Sequence, residues 1–222
     1  MIGKSYFLIS LFFFMTVSAD KVPGTNVEKK IFELNLVKQK SSSRNFEALY
    51  KEVSKLNKYI GTYPPTFSSE NQRSKIYRYW LELASDAEGY AITMERDEQS
   101  IYILSELYRQ GHNMDVRSSA KRALSTLSEC LEKYPKSVSC HFSASYFYLS
   151  IGKNYLDSAE KSLSFLKSHY SPRLNSKVEE GYIFLYLYRQ DVPSVKLQID
   201  KYLEVFPNSE RTKLFTKIRS AL

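Results

Sequence analysis

The chain has 222 residues, 43% of them apolar and 25% charged, with only 7 Gly and 7 Pro. That is enough for a buried core, and it excludes a disordered, collagen-like or polytopic membrane protein. The formal net charge is +8, and the unusual count is aromatic, with 18 Tyr and 13 Phe beside one Trp.

Lys4 is the only charge before Asp20, and it precedes an apolar run from Tyr6 to Val17 broken only by Ser10 and Thr16, then Ser18 and Ala19. Charged, apolar and small residues in that order predict a secretory signal peptide over 1–19, cleaved after Ala19, and hence a periplasmic or secreted protein. About twelve apolar positions span roughly 18 Å as a helix, short of a bilayer core of about 30 Å, so an uncleaved anchor is the weaker alternative. Residues 21–62 hold nine Lys/Arg against four Glu. Export argues against nucleic acid as the partner of this basic stretch. A solvated helix face accounts for it, with membrane contact at most peripheral and confined to this N-terminal region.

Thr25 with Glu28 three residues on is a capping-box pattern, and Val27, Ile31 and Leu34 follow at i, i+4, i+7, predicting an amphipathic helix over about 26–38. Ser41, Ser42 and Ser43 end it. Phe46, Leu49, Val53, Leu56 and Ile60 predict a second helix, stopped by Gly61 and Pro64-Pro65. Ser69 and Glu70 open a long third helix, with Ile76, Tyr79, Trp80, Leu83 and Ala87 on one face and a break at Arg96-Asp97-Glu98. Period-two alternation is not sustained anywhere, so the class is all-α.

Beyond residue 97 the pattern repeats. Leu131-Glu132-Lys133-Tyr134-Pro135 and Leu203-Glu204-Val205-Phe206-Pro207 close helices in the same way, Ser168-His169-Tyr170-Ser171-Pro172 does so with one insertion, and the three prolines lie 37 and 35 residues apart. Leu107-Tyr108-Arg109-Gln110-Gly111 aligns with Leu187-Tyr188-Arg189-Gln190-Asp191 as a turn within each unit, and Gly152 ends the helix between them. Counted back from Pro135, Gly111, Ala123, Leu127 and Cys130 fall at the turn glycine, the small, the large and the second small position of a tetratricopeptide repeat. Over about residues 97–207 the chain resembles that superfamily, although the later units are longer than usual and Asp191 replaces the glycine. The resemblance implies a right-handed α-solenoid of antiparallel helix pairs. The resulting division is a signal at 1–19, N-terminal helices joining the stack over 20–96, and repeats with a C-terminal capping helix over 97–222. Stacking also accounts for helices 137–151 and 175–190, which are apolar nearly all round and need cover on more than one side.

Cys130 and Cys140 lie five residues either side of Pro135, and equal distances from a hairpin turn bring residues opposite each other. In an oxidising compartment they can form a structural disulfide, and two unpaired buried thiols are the other reading. Neither C-x-x-C nor a zinc spacing occurs, so no metal or cofactor is expected.

The three histidines, His112, His141 and His169, stand outside any H-E-x-x-H pattern, and neither G-x-S-x-G nor a phosphate-binding loop occurs. Glu179 and Glu180 fall in the first turn of a helix, where they complement its dipole. No catalytic residue is assigned, and the chain reads as a non-enzyme. By the resemblance, the first helices of the pairs line a groove for a protein or peptide partner. Its candidates are Tyr108, Arg109 and His112, then Tyr146, Leu149 and Lys153, then Leu185, Tyr188 and Arg189, with interhelix packing as the plainer role of each tyrosine. The alternative function is an exported accessory of a tripartite-type solute transporter that binds a small ligand in an apolar pocket.

Overall fold

The computed structural model describes residues 44–222, so the expected signal peptide and the helix at 26–38 lie outside the described residues. Within them are nine α-helices and one 3-10 turn, and no strand. They form two compact units, 44–143 and 144–222.

The first unit begins with α1 (Phe46–Ile60), α2 (Glu70–Thr93), α3 (Glu98–Asn113) and α4 (Ser119–Lys133). Asn45 caps α1 by accepting from the Ala48 N–H, Ser69 caps α2 by accepting from Gln72, and Asp97 caps α3 by accepting from Ser100. Each supplies an acceptor to an N–H that the helix itself leaves without one. The break read at residues 96–98 is a tight turn in which Glu95 and Arg96 both have positive φ.

Helix α3 packs against α1, α2 and α4, and α1 also packs against α2. Leu49, Val53, Leu56 and Ile60 bury the core face of α1, and Trp80 and Leu83 of α2 and Ile101, Leu104 and Leu107 of α3 are fully buried. The aligned segment Leu107–Gly111 is not a turn. It continues α3 to Asn113, and the chain reverses afterwards through Asp115 and Ser118, both at positive φ. Gly111 is small for another reason: a Cβ there would stand 2.5 Å from Trp80 Cζ2 and 2.6 Å from Ser119 Oγ. Close approach of α2 and α4 to α3 thus selects the glycine. Trp80 also donates from Nε1 to the Leu107 carbonyl at 2.8 Å.

α5 (Val138–Ile151) follows the Pro135 turn and carries the boundary between the units. Cys130 and Cys140 face each other across that turn, fully buried, with Cα atoms 6.0 Å apart and sulfurs at bonding distance. They pack with Ile101, Leu131 and Tyr134.

The second unit continues with α6 (Leu156–Tyr170), α7 (Ser176–Arg189), α8 (Val192–Val205) and α9 (Thr212–Ala221). α7 packs against both α6 and α8, and α9 closes on α8. Ile183, Val195, Ile199, Tyr202, Phe215 and Ile218 form its core. Phe215 and Ile218 are the residues through which the last helix covers that core, while Leu214 stays exposed.

Candidate functional site

The repeated Tyr-Arg pair is where sequence and structure meet most directly. Tyr108 is buried, and its hydroxyl donates to Glu88 Oε1 at 2.5 Å. Arg122 donates to the same oxygen at 2.9 Å and lies over the Tyr108 ring. Burial first, and then the Glu88 charge, pushes the phenol well above its ordinary range. The side chain serves as a tie from α3 to α2 and α4.

Arg109 is equally committed. Its guanidinium donates to the Gly61 carbonyl at 2.6 Å, to Asn57 Oδ1 at 3.1 Å and to Glu106 Oε2 at 2.8 Å. Asn113 donates to the Ile60 carbonyl at 2.9 Å. Two side chains of α3 therefore satisfy carbonyls at and just beyond the C-terminus of α1, which have no partner within that helix. Arg189 plays a comparable part in the second unit, donating to Asp157 at 2.6 Å and Glu160 at 2.8 Å on α6.

Of the remaining candidates, Leu149 and Leu185 are core residues and His112 is half-buried. Burial lowers the His112 pKa against the opposing charge of Asp115. Tyr146, half-buried, donates to the Lys177 carbonyl at 2.7 Å. Tyr188 is half-buried, and burial raises its hydroxyl pKa. Lys153 is exposed in the 3-10 turn Lys153–Tyr155.

Along α3, Tyr102, Glu106 and Arg109 form a half-buried row spaced i, i+4, i+7. Tyr102 meets Tyr50 of α1 at 6.3 Å between ring centroids, and Tyr50 stacks on Phe46 at 5.7 Å. Tyr50 is 45% exposed, a large aromatic surface left facing solvent. Burial beside Glu106 drives the Tyr102 phenol upward. The sequence signal is the i, i+4 pair Phe46/Tyr50, obscured because Phe46 also continues the helical spacing of Leu49 and Val53.

Glu106 accepts from both Arg109 and Ser143. Burial alone would raise its carboxyl pKa, yet the Arg109 charge and these hydrogen bonds outweigh it and hold the group below its ordinary value of 4.5. A lowered folded-state pKa contributes stability above the unfolded value, lost as pH falls through the folded one. Glu106→Gln is therefore expected to be less stable than the wild type above about pH 4.5, with the difference vanishing in more acidic solution. Urea titrations across that range measure it.

Glu179 and Glu180 are buried rather than exposed at the α7 N-terminus. Glu179 accepts from Gln198 and Lys201, while Glu180 accepts from the Tyr202 hydroxyl at 3.1 Å and pairs with Lys177 at 3.2 Å and Arg211 at 3.7 Å. The adjacent carboxylates tie α7 to α8 and to the entry of α9. Among the described residues no cluster of three or more His, Cys, Asp or Glu is placed to hold a metal ion, and no helix is long and apolar enough to cross a membrane. An open cleft of about 500 Å³ at the Pro135 turn is lined by Glu98, Tyr134, Pro135, Lys136, Ser137 and Val138. No family model matches the chain, and no curated protein or solved structure is significantly similar to it.

Proposed function

We propose that this protein is an exported, non-catalytic adaptor of the cell envelope that holds a protein or peptide partner on aromatic faces of a helical-repeat scaffold. Tyr50 carries the reading, a ring 45% exposed beside the half-buried rings of Phe46 and Tyr102. Trp80, Phe147, Tyr202 and Phe215 are wholly enclosed and most other rings half-buried, whereas Tyr50 is the one exposed Phe, Tyr or Trp ring among the described residues and stacks on Phe46. Tyrosine suits recognition because it offers a large rigid face and a polar tip at small entropic cost. In the second unit Tyr146, Lys153 and Tyr188 each keep part of their surface. Tyr108, Arg109 and Arg189 are scaffold ties in this reading.

The finer architecture belongs to the proposal as well: successive antiparallel pairs wound as a right-handed, tetratricopeptide-like solenoid. The packing of α1 on both α2 and α3 supports it, since stacked pairs bring the first helix of one unit against the first helix of the next. Signal-like residues 1–19 support export.

The test is capture of an envelope partner by the wild type and by a Tyr50→Ser/Tyr102→Ser variant, both checked for helical content. Hot-spot aromatics each carry about 2 kcal/mol or more, so capture is expected to weaken by more than about tenfold. Undiminished capture by the folded variant refutes this surface as the binding face.

A further inference from the structure

We infer that the tip of the first unit, where the α1–α2 and α3–α4 hairpins turn, seats against an anionic lipid surface. The contact is additional to the adaptor reading and does not rest on it.

Hydrogen bonds fix which segments share this end. Tyr79 of α2 donates to Glu52 of α1 at 2.6 Å. From that level α1 runs eight residues on to Ile60 and α2 runs nine residues back to Glu70, about 12–14 Å each at the helical rise. The end of α3 joins them, because Asn113 donates to the Ile60 carbonyl at 2.9 Å and Arg109 to the Gly61 carbonyl at 2.6 Å. The α3–α4 turn follows directly on Asn113.

Charge is sorted along this axis. Over residues 53–78, Lys55, Lys58, Arg73, Lys75 and Arg78 are exposed against a single carboxylate, Glu70. Arg117 and Lys121 add two exposed cations beside Asp115. Lys55 pairs with Glu52 and Arg73 with Glu70, whereas among the described residues no carboxylate lies at ion-pair distance from Lys58, Lys75, Arg78, Arg117 or Lys121. At the opposite end of the same helices the sign reverses, with Glu47, Glu95, Glu98 and Glu132 exposed against Lys133 and Lys136. Such a distribution presents the basic tip to a negative surface and turns the other end away from it.

The arrangement suits a plane of headgroups better than one acidic side chain. The cations are spread over two hairpin tips, and the cleft at the Pro135 turn belongs to the other end of the unit. Residues 61–69, which join α1 to α2, carry no charge and hold the half-buried rings of Tyr63 and Phe67. Rings in an uncharged loop flanked by Lys and Arg match the composition that settles at a membrane–water interface. Sequence order alone confines peripheral membrane contact to residues 21–62. Folding brings Arg73, Lys75, Arg78, Arg117 and Lys121 to the same end as Lys55 and Lys58.

The protein, purified in the form that cells accumulate, is sedimented with vesicles of phosphatidylcholine, alone or with phosphatidylglycerol as the anionic lipid. Retention is expected on the anionic vesicles only. It is expected to be lost in about 1 M salt, where screening confines charge interactions to about 3 Å. Each Lys or Arg near such a surface is worth about fivefold in affinity, so Lys58→Gln/Lys75→Gln/Arg117→Gln is expected to weaken retention about a hundredfold. A variant of the same net charge, Lys136→Gln/Lys213→Gln/Lys217→Gln, is expected to stay within about threefold of the parent. Equal weakening of the two variants overturns the proposal, because net charge and not the tip then decides. A tip variant that keeps its helical content and still binds like the parent also overturns it, placing the contact elsewhere on the chain. Retention on neither vesicle type overturns it outright, and capture on immobilised polyglutamate in that case points to an acidic protein instead.

Discussion

Trp80→Ala is expected to lower the unfolding free energy of the first unit by about 3–5 kcal/mol, the cost of truncating a buried large aromatic and leaving a cavity. The site offers little room for collapse. Trp80 is the largest wholly buried side chain, and its indole lies where α2 presses on α3, opposite a glycine that provides no replacement atoms. The indole N–H donates to the Leu107 carbonyl, so a Trp80→Phe variant separates packing from hydrogen bonding. The phenylalanine keeps much of the apolar volume, and the lost bond adds about 0.5–1.5 kcal/mol. A small domain has about 5–15 kcal/mol of stability in all, so the alanine variant removes a large share of it. Urea unfolding followed by far-ultraviolet circular dichroism measures the loss. A change below about 1 kcal/mol contradicts the tight α2–α3 contact.

Tyr202→Ala is expected to have an effect of the same size, about 3–5 kcal/mol, in the second unit. Tyr202 is wholly buried, its ring meets Phe215 edge-on at 4.9 Å, and Phe206 lies 5.1 Å away. Its hydroxyl adds a polar role, donating to Glu180 and pairing with Ser209 at 2.6 Å. Glu180 is itself buried, so Tyr202→Phe leaves a carboxylate oxygen with one donor fewer in a dry setting. That variant is expected to cost about 1–3 kcal/mol while preserving the ring contacts. The Lys177 and Arg211 side chains that also serve Glu180 are 59% and 45% exposed, so water softens the loss on their side. Equal stability of Tyr202→Phe and wild type would show that the hydroxyl network contributes nothing net.

The sequence was most legible where the chain punctuates itself. Ser69, Pro64-Pro65, Pro135 and Gly152 marked helix ends because capping oxygens, missing donors and permissive φ act locally. Cys130 and Cys140 were legible for a similar reason, as their symmetry about Pro135 follows from hairpin geometry and the sulfurs do face each other. Gly111 was misplaced as a turn residue because a glycine chosen for close approach looks the same in sequence as one chosen for a turn. Only the position of Trp80, 31 residues earlier, tells them apart. The candidate site was less legible still. Tyr108 has a repeated neighbour and a plausible exposed tip, but its fate is decided by Glu88 and Arg122, which periodicity does not connect to it. Arg109 and Arg189 become struts because helix ends and carboxylates happen to lie within reach. Tyr50 sits beside the core residue Leu49, and a one-residue step of about 100° around α1 separates enclosure from exposure.

The placement of the one tryptophan has a practical consequence. Trp80 belongs to residues 44–143, whereas residues 144–222 contain tyrosine and phenylalanine but no indole. Selectively excited emission therefore reports the melting of one half of the described chain, while circular dichroism sums the helices of both. Where the two curves coincide, the protein behaves as a single cooperative system; where they part, the gap between them measures how independently its halves come undone.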